Sequence, residues 1–204
     1  ALALVRSAPP AAPAISAEGT LGMVLKERGD QVLCLDAETG ETRWQRPLQQ
    51  QSMLGRSVAI SPQGTILAFE NADLSLRALD GHSGRTVWKF PVSDYLSGDL
   101  ATGDDGSVYV SRTSGDVLAL DAQDGRLMWK QKVGRSPAAT AADGAVFVRS
   151  DDNRVSALDA RTGQPRWQQE IKDEKLGAPG VDPEGNVVVT GSTGTARALD
   201  AESG

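Results

Sequence analysis

The sequence has 204 residues, 39% of them hydrophobic, 24% charged and 4% aromatic, which fits one medium domain whose core needs no metal or disulfide staple. One cysteine, Cys34, excludes an internal disulfide framework, and a net charge of −6 with scattered basic residues argues against a nucleic-acid or anionic-membrane surface. No apolar run approaches the roughly 20 residues that span a bilayer, so no integral membrane segment is expected. The start at Ala1, without an initiator Met or a charged leader, reads as a processed chain or part of a longer protein.

Along the chain one phrase recurs five times, at 32–40, 76–84, 118–125, 156–163 and 197–204. Its aspartates are Asp36, Asp80, Asp121, Asp159 and Asp200, spaced by 44, 41, 38 and 41 residues. Each starts an Asp-x-x-x-Gly turn closed by Gly40, Gly84, Gly125, Gly163 or Gly204 (one residue tighter in no unit). The Asp side chain can bond the backbone two residues on, and Gly supplies the positive φ. Eight residues after the first four aspartates stand Trp44, Trp88, Trp129 and Trp167, which are all the tryptophans of the chain. The fifth unit has none.

Before each aspartate a small residue (Cys34, Ala78, Ala119, Ala157 or Ala198) precedes a leucine, and such neighbours point to opposite faces of a strand. Upstream, Gly19, Gly64, Gly106, Gly144 and Gly185 each follow Glu, Gln or Asp and precede an apolar run, the signature of a hairpin. No window sustains a helical period, so no helix is expected. A unit of four short strands and about 40 residues, repeated, predicts an all-β fold: a β-propeller of four-stranded antiparallel blades. The blade repeats fall near 11–50, 51–93, 94–134, 135–172 and 173–204.

Wrapping the chain end to end leaves 40 residues from Asp200 round to Asp36, one ordinary period. In that register Leu2–Arg6, within segment 1–10, would supply the outer strand of the last blade. Two readings stay open: a self-closed ring of five blades, or part of a larger ring.

The phrase A-L-D-A-x-T-G-x-x-x-W resembles the tryptophan-docking repeat of PQQ-like (quinoprotein-type) β-propellers along essentially the whole chain. The resemblance implies that Trp44, Trp88, Trp129 and Trp167 pack against the following blade, and that a complete ring has more blades, often eight. Catalytic members of that family add adjacent cysteines over the quinone and a bound Ca²⁺. This chain has no adjacent cysteines, and Cys34 takes a position that alanine fills in the other four units. No catalytic, cofactor-binding or metal-ligating set stands out. His82 reads as an exposed turn residue without a partner for general base work. Asp104, Asp105, Asp151 and Asp152 read as hairpin-turn carboxylates lacking calcium-loop spacing. Gly191–Gly194 lacks the Lys and helix of a phosphate loop, and Lys172–Lys175 reads as a solvated connection.

The resemblance therefore implies a non-catalytic scaffold of the bacterial cell envelope, periplasmic or otherwise extracytoplasmic, binding other proteins through loops or blade edges. It is similar in this to the propeller lipoprotein of the outer-membrane assembly machinery, and any membrane association would lie outside this chain. No cofactor is expected under this reading. The alternatives are part of a PQQ- and calcium-dependent dehydrogenase, or a ligand-sensing propeller of a bacterial kinase.

Overall fold

The computed structural model describes residues 14–15, 20–25, 31–47, 58–70, 72–135, 137–172 and 175–204. It is all-β, with no helix among the described residues. Sheet I holds β1 (Ala14–Ile15), β2 (Thr20–Leu25), β3 (Gln31–Asp36) and β4 (Thr42–Pro47). Sheet II holds β5 (Val58–Ile60), β6 (Ile66–Glu70), β7 (Ser75–Leu79) and β8 (Thr86–Pro91). Sheet III holds β9 (Ala101–Thr102), β10 (Ser107–Ser111), β11 (Asp116–Asp121) and β12 (Leu127–Lys132). Sheet IV holds β13 (Ala138–Ala142), β14 (Ala145–Ser150), β15 (Arg154–Asp159) and β16 (Pro165–Glu170). Sheet V holds β17 (Gly180–Val181), β18 (Val187–Thr190) and β19 (Ala196–Leu199), three strands among the described residues. Gly19 and the segment 1–10 lie outside the described residues.

Every sheet is an antiparallel meander in chain order. The first strands also succeed one another in space, β5 against β1 and β2, β9 against β5, β13 against β9 and β17 against β13. Four apolar clusters result, one at each junction between consecutive sheets. The alternation of β14 shows how one strand serves two of them. Val146 and Val148 join Ala119 and Trp129 of sheet III, whereas Ala145 and Phe147 join Val187 and Val189 of sheet V. Inner strands sandwiched in this way read as continuous apolar runs, and β6 and β10 are buried along their whole length. The outer strands β4, β8, β12 and β16 are largely exposed, with the tryptophan of each at least partly covered.

The small residue before each leucine has a direct steric cause. Cys34, Ala78, Ala119 and Ala157 sit opposite Trp44, Trp88, Trp129 and Trp167 on the neighbouring strand, so a side chain no larger than Cys leaves room for the indole on that face. The following leucines turn to the other face: Leu79, Leu120 and Leu158 pack on the preceding sheet. Each outer strand is bulged just before its tryptophan, with Arg43, Val87, Met128 or Arg166 as the extra residue. The tryptophan is the third residue of its strand, and three further ladder pairs follow it in each complete sheet.

Candidate functional site

The repeated phrase folds into a turn that receives the tryptophan of the sheet before it. Within the turn the Gly N–H donates to the Asp carbonyl four residues back, at 2.8 Å for Gly40, Gly84, Gly163 and Gly204 and 2.9 Å for Gly125. The Asp carboxylate caps the same turn: Asp36 Oδ1 accepts from the amides of Glu38 and Thr39 at 3.0 and 2.9 Å. A hydroxyl three residues after the aspartate adds a bond to that oxygen, from Thr39, Ser83, Thr162 and Ser203. In the third unit Asp124 stands there, and Asp121 accepts the Gln123 amide at 2.8 Å. This hydroxyl was readable in the sequence as Ser or Thr at a fixed offset.

The indole meets the turn in two ways. Trp44 Nε1 donates to Gly81 O at 2.9 Å, and Trp88, Trp129 and Trp167 donate to Ala122, Ala160 and Ala201 O at 2.8 Å. The acceptor is always the carbonyl just after the repeated aspartate. The ring then lies across the turn glycine. A Cβ on Gly84, Gly125 or Gly163 would come within 2.7, 2.6 and 2.6 Å of the indole of Trp44, Trp88 and Trp129, and one on Gly204 within 3.0 Å of Trp167. These glycines therefore meet two demands at once, φ near +70° and an empty face.

Charge reinforces the turns unevenly. The Arg43 guanidinium, 2.8 Å from Asp36 Oδ2, holds that carboxyl well below the usual range. Arg166, 2.8 Å from Asp159, and the Thr162 hydroxyl bring Asp159 down to about 2. Asp80 and Asp200 are lowered by their own serines, Ser83 and Ser203. Arg43 and Arg166 are the bulge residues of their strands; at the same place sheets II and III carry the exposed Val87 and Met128.

The remaining sequence candidates do not come together. His82 is exposed in the Asp80–Gly84 turn. Cys34 is buried with its thiol pushed up by that burial, and donates to Gly81 O at 3.5 Å. Asp104 and Asp105 lie in the β9–β10 turn, and Asp151 and Asp152 in the β14–β15 turn. Gly191–Gly194 forms the β18–β19 turn. Among the described residues no three His, Cys, Asp or Glu side chains are grouped to hold a metal. The sequence contains a single Cys, so this chain holds no pair of adjacent cysteines.

Successive four-stranded meanders tied by tryptophan sockets define a PQQ-like repeat protein of the β-propeller type. The family model described as outer membrane protein assembly factor BamB matches residues 72–204, well over half the chain, and the chain belongs to this family. Among solved structures it is similar to BamB from Moraxella catarrhalis, with a TM-score of 0.64 and 23% identity over 90% of this chain and 59% of that one. A polyvinylalcohol dehydrogenase of Sphingopyxis sp. (strain 113P3) is 28% identical over 49% of this chain and 19% of the dehydrogenase. The chain thus spans 59% of that solved structure and about a fifth of that enzyme. Among the described residues no helix is long and apolar enough to cross a membrane.

Proposed function

We propose that this chain is a non-catalytic propeller scaffold of the bacterial cell envelope, holding other proteins through its loops and sheet edges during outer-membrane protein assembly. The family match over 72–204 carries the reading. Exposed outer strands and the turns at the sheet ends supply the surfaces such a role needs. The location is periplasmic or otherwise extracytoplasmic. Deleting the gene in its host should lower the amount of folded outer-membrane β-barrel protein, restored by a plasmid copy; unchanged levels overturn the scaffold role. The partial identity to a dehydrogenase supplies the rival reading. Incubation with PQQ and Ca²⁺ followed by dye reduction with alcohols separates the two, since turnover would replace the scaffold by an enzyme.

The four tryptophans act as the docking elements between sheets, and the five sheets form an arc of a larger ring. Support for the arc comes from the solved structure the chain resembles, of which it spans 59%. Its first turn, at Gly40, repeats the geometry of the four sockets, with φ of +71°. At the other end β19 is the last strand of its sheet among the described residues, and Ala196, Arg197 and Ala198 are exposed. Paired cysteines at Leu4 and Ala198 test closure: efficient disulfide formation would favour a five-bladed ring sealed by segment 1–10 and sink the arc.

A further inference from the structure

Each outer strand leaves one edge of its sheet unpaired among the described residues, since β4, β8, β12 and β16 stand last in their meanders. Around three of them each cation has its own partner. Arg43 of β4 pairs with Asp36, and Arg46 donates to Thr86 Oγ1 at 2.7 Å and to Gly84 O at 3.3 Å. Beside β8, Arg77 and Lys89 meet Glu70 and Asp73, two cations for two carboxylates. Arg166 of β16 pairs with Asp159. Sheet III departs from this balance: Arg112, Lys130 and Lys132 all converge on Asp116.

That convergence leaves positive charge over. Asp116 is buried; burial pushes its carboxyl up, and the bonds from Arg112 and Lys130 bring it back below its ordinary value, so it is ionised at neutral pH. One negative charge thus faces three positive ones. Lys130 lies 3.3 Å and Lys132 3.8 Å from it, with side chains 52% and 66% exposed. The carboxylates of the adjoining turns are engaged elsewhere, Asp94 by Thr113 and Ser114, and Asp152 by Ser150 and Arg154. On a chain of net charge −6, this edge is cationic.

The backbone of the edge adds a second feature. Asp116 O accepts from the Arg112 N–H at 2.9 Å, so Asp116 turns its backbone to β10, and by alternation Val117 and Ala119 turn theirs to β12. Their partners there are Gln131 and Trp129, which leaves the N–H and C=O of Lys130 and Lys132 directed out of the sheet. The ladder is regular from Trp129 to Lys132, and past the bulge stand the exposed Leu127 and Met128. Lysine on an edge repels a second copy of the same edge, since an antiparallel pair would set Lys130 against Lys132. Repulsion alone gives no role to the apolar pair beside it. We propose that β12 takes on a fifth strand: an extended segment of another polypeptide, antiparallel like every pair in the sheet, with acidic residues opposite Lys132 and Lys130 and an apolar residue against Leu127 and Met128. This deepens the scaffold reading and rests on it for the setting of the partner; peptide binding to the purified chain and barrel levels after gene deletion are separate readouts, so either can fail alone.

The probe is the peptide acetyl-Glu-Thr-Glu-Val-Thr-Val, carrying fluorescein at its C-terminus, titrated with the intact chain and followed by anisotropy. Saturable binding that weakens as salt is added is expected. Lys130→Gln/Lys132→Gln should weaken it about fivefold, the loss of two exposed cross-strand charge pairs, with thermal unfolding confirming that the variant is folded. Lys130→Glu/Lys132→Glu should reverse the preference and take up the peptide that has Lys in place of both Glu. Methyl groups on the two Glu amides, the N–H groups that would donate to the Lys132 and Lys130 carbonyls, should abolish binding while keeping the charge. No saturation at low salt, equal affinity for the Gln-Thr-Gln peptide, or indifference to the methyl groups overturns the added strand. So does binding to phosphatidylglycerol vesicles that the Gln variant loses, with none to the peptide, which assigns the lysines to a membrane surface instead.

Discussion

The sockets of Trp129 and Trp167 are made of the same parts and shielded very differently. Both indoles donate at 2.8 Å to the alanine after the repeated aspartate, both lie on the turn glycine, and both have an aromatic neighbour, Tyr109 at 5.8 Å and Phe147 at 6.2 Å. Yet Trp129 is only 8% exposed, whereas Trp167 is half-buried. The cause lies beyond the receiving turn. β15, which receives Trp129, is covered by β16, while β19, next to the turn that receives Trp167, has its residues largely exposed. The hydrogen bond and the glycine contact thus belong to the repeat itself, and the degree of burial belongs to what stands behind it.

This contrast ranks the expected effects. Trp129→Ala should cost about 3–5 kcal/mol in urea unfolding, as for a large aromatic removed from a packed core; a loss below about 1 kcal/mol would mean that the junction between sheets III and IV does not rest on it. Gly163→Ala comes next, at about 2–3 kcal/mol, because its methyl would meet the Trp129 indole at 2.6 Å and its φ is +71°. Trp167→Ala should cost about 1–2 kcal/mol, since less apolar area leaves water there; equality with Trp129→Ala would erase the contrast.

Acid should separate the same two turns. Asp159 is held down to about 2, so its contribution is complete above the ordinary carboxylate value near 4 and is lost as pH falls through about 2. Asp159→Asn should accordingly flatten the decline of Tm between pH 5 and pH 2, and Asp200→Asn, whose aspartate is lowered by Ser203 with no arginine among its partners in the described residues, should flatten it less. The smallest effect is a gain. Met128→Arg copies Arg43 and Arg166 into the third unit beside Asp121, and as an exposed ion pair it should add no more than about 0.5 kcal/mol by thermal unfolding.

What the sequence made legible was whatever repeats in side chains. The Asp-x-x-x-Gly turn, the tryptophan eight residues on and the small residue before the leucine all recur at fixed offsets, and each maps to a contact in the structure. The socket's acceptor left no such trace, because it is a backbone carbonyl belonging to Gly81 as readily as to Ala122. The bulge was hidden for a similar reason: Arg43, Val87, Met128 and Arg166 share a backbone position and no chemistry.

Each indole reaches its carbonyl 31 to 37 residues later in the chain, never earlier. During synthesis from the N-terminus, each of the four units after the first therefore finds a tryptophan already waiting for it, and docking can proceed in the order in which the chain emerges.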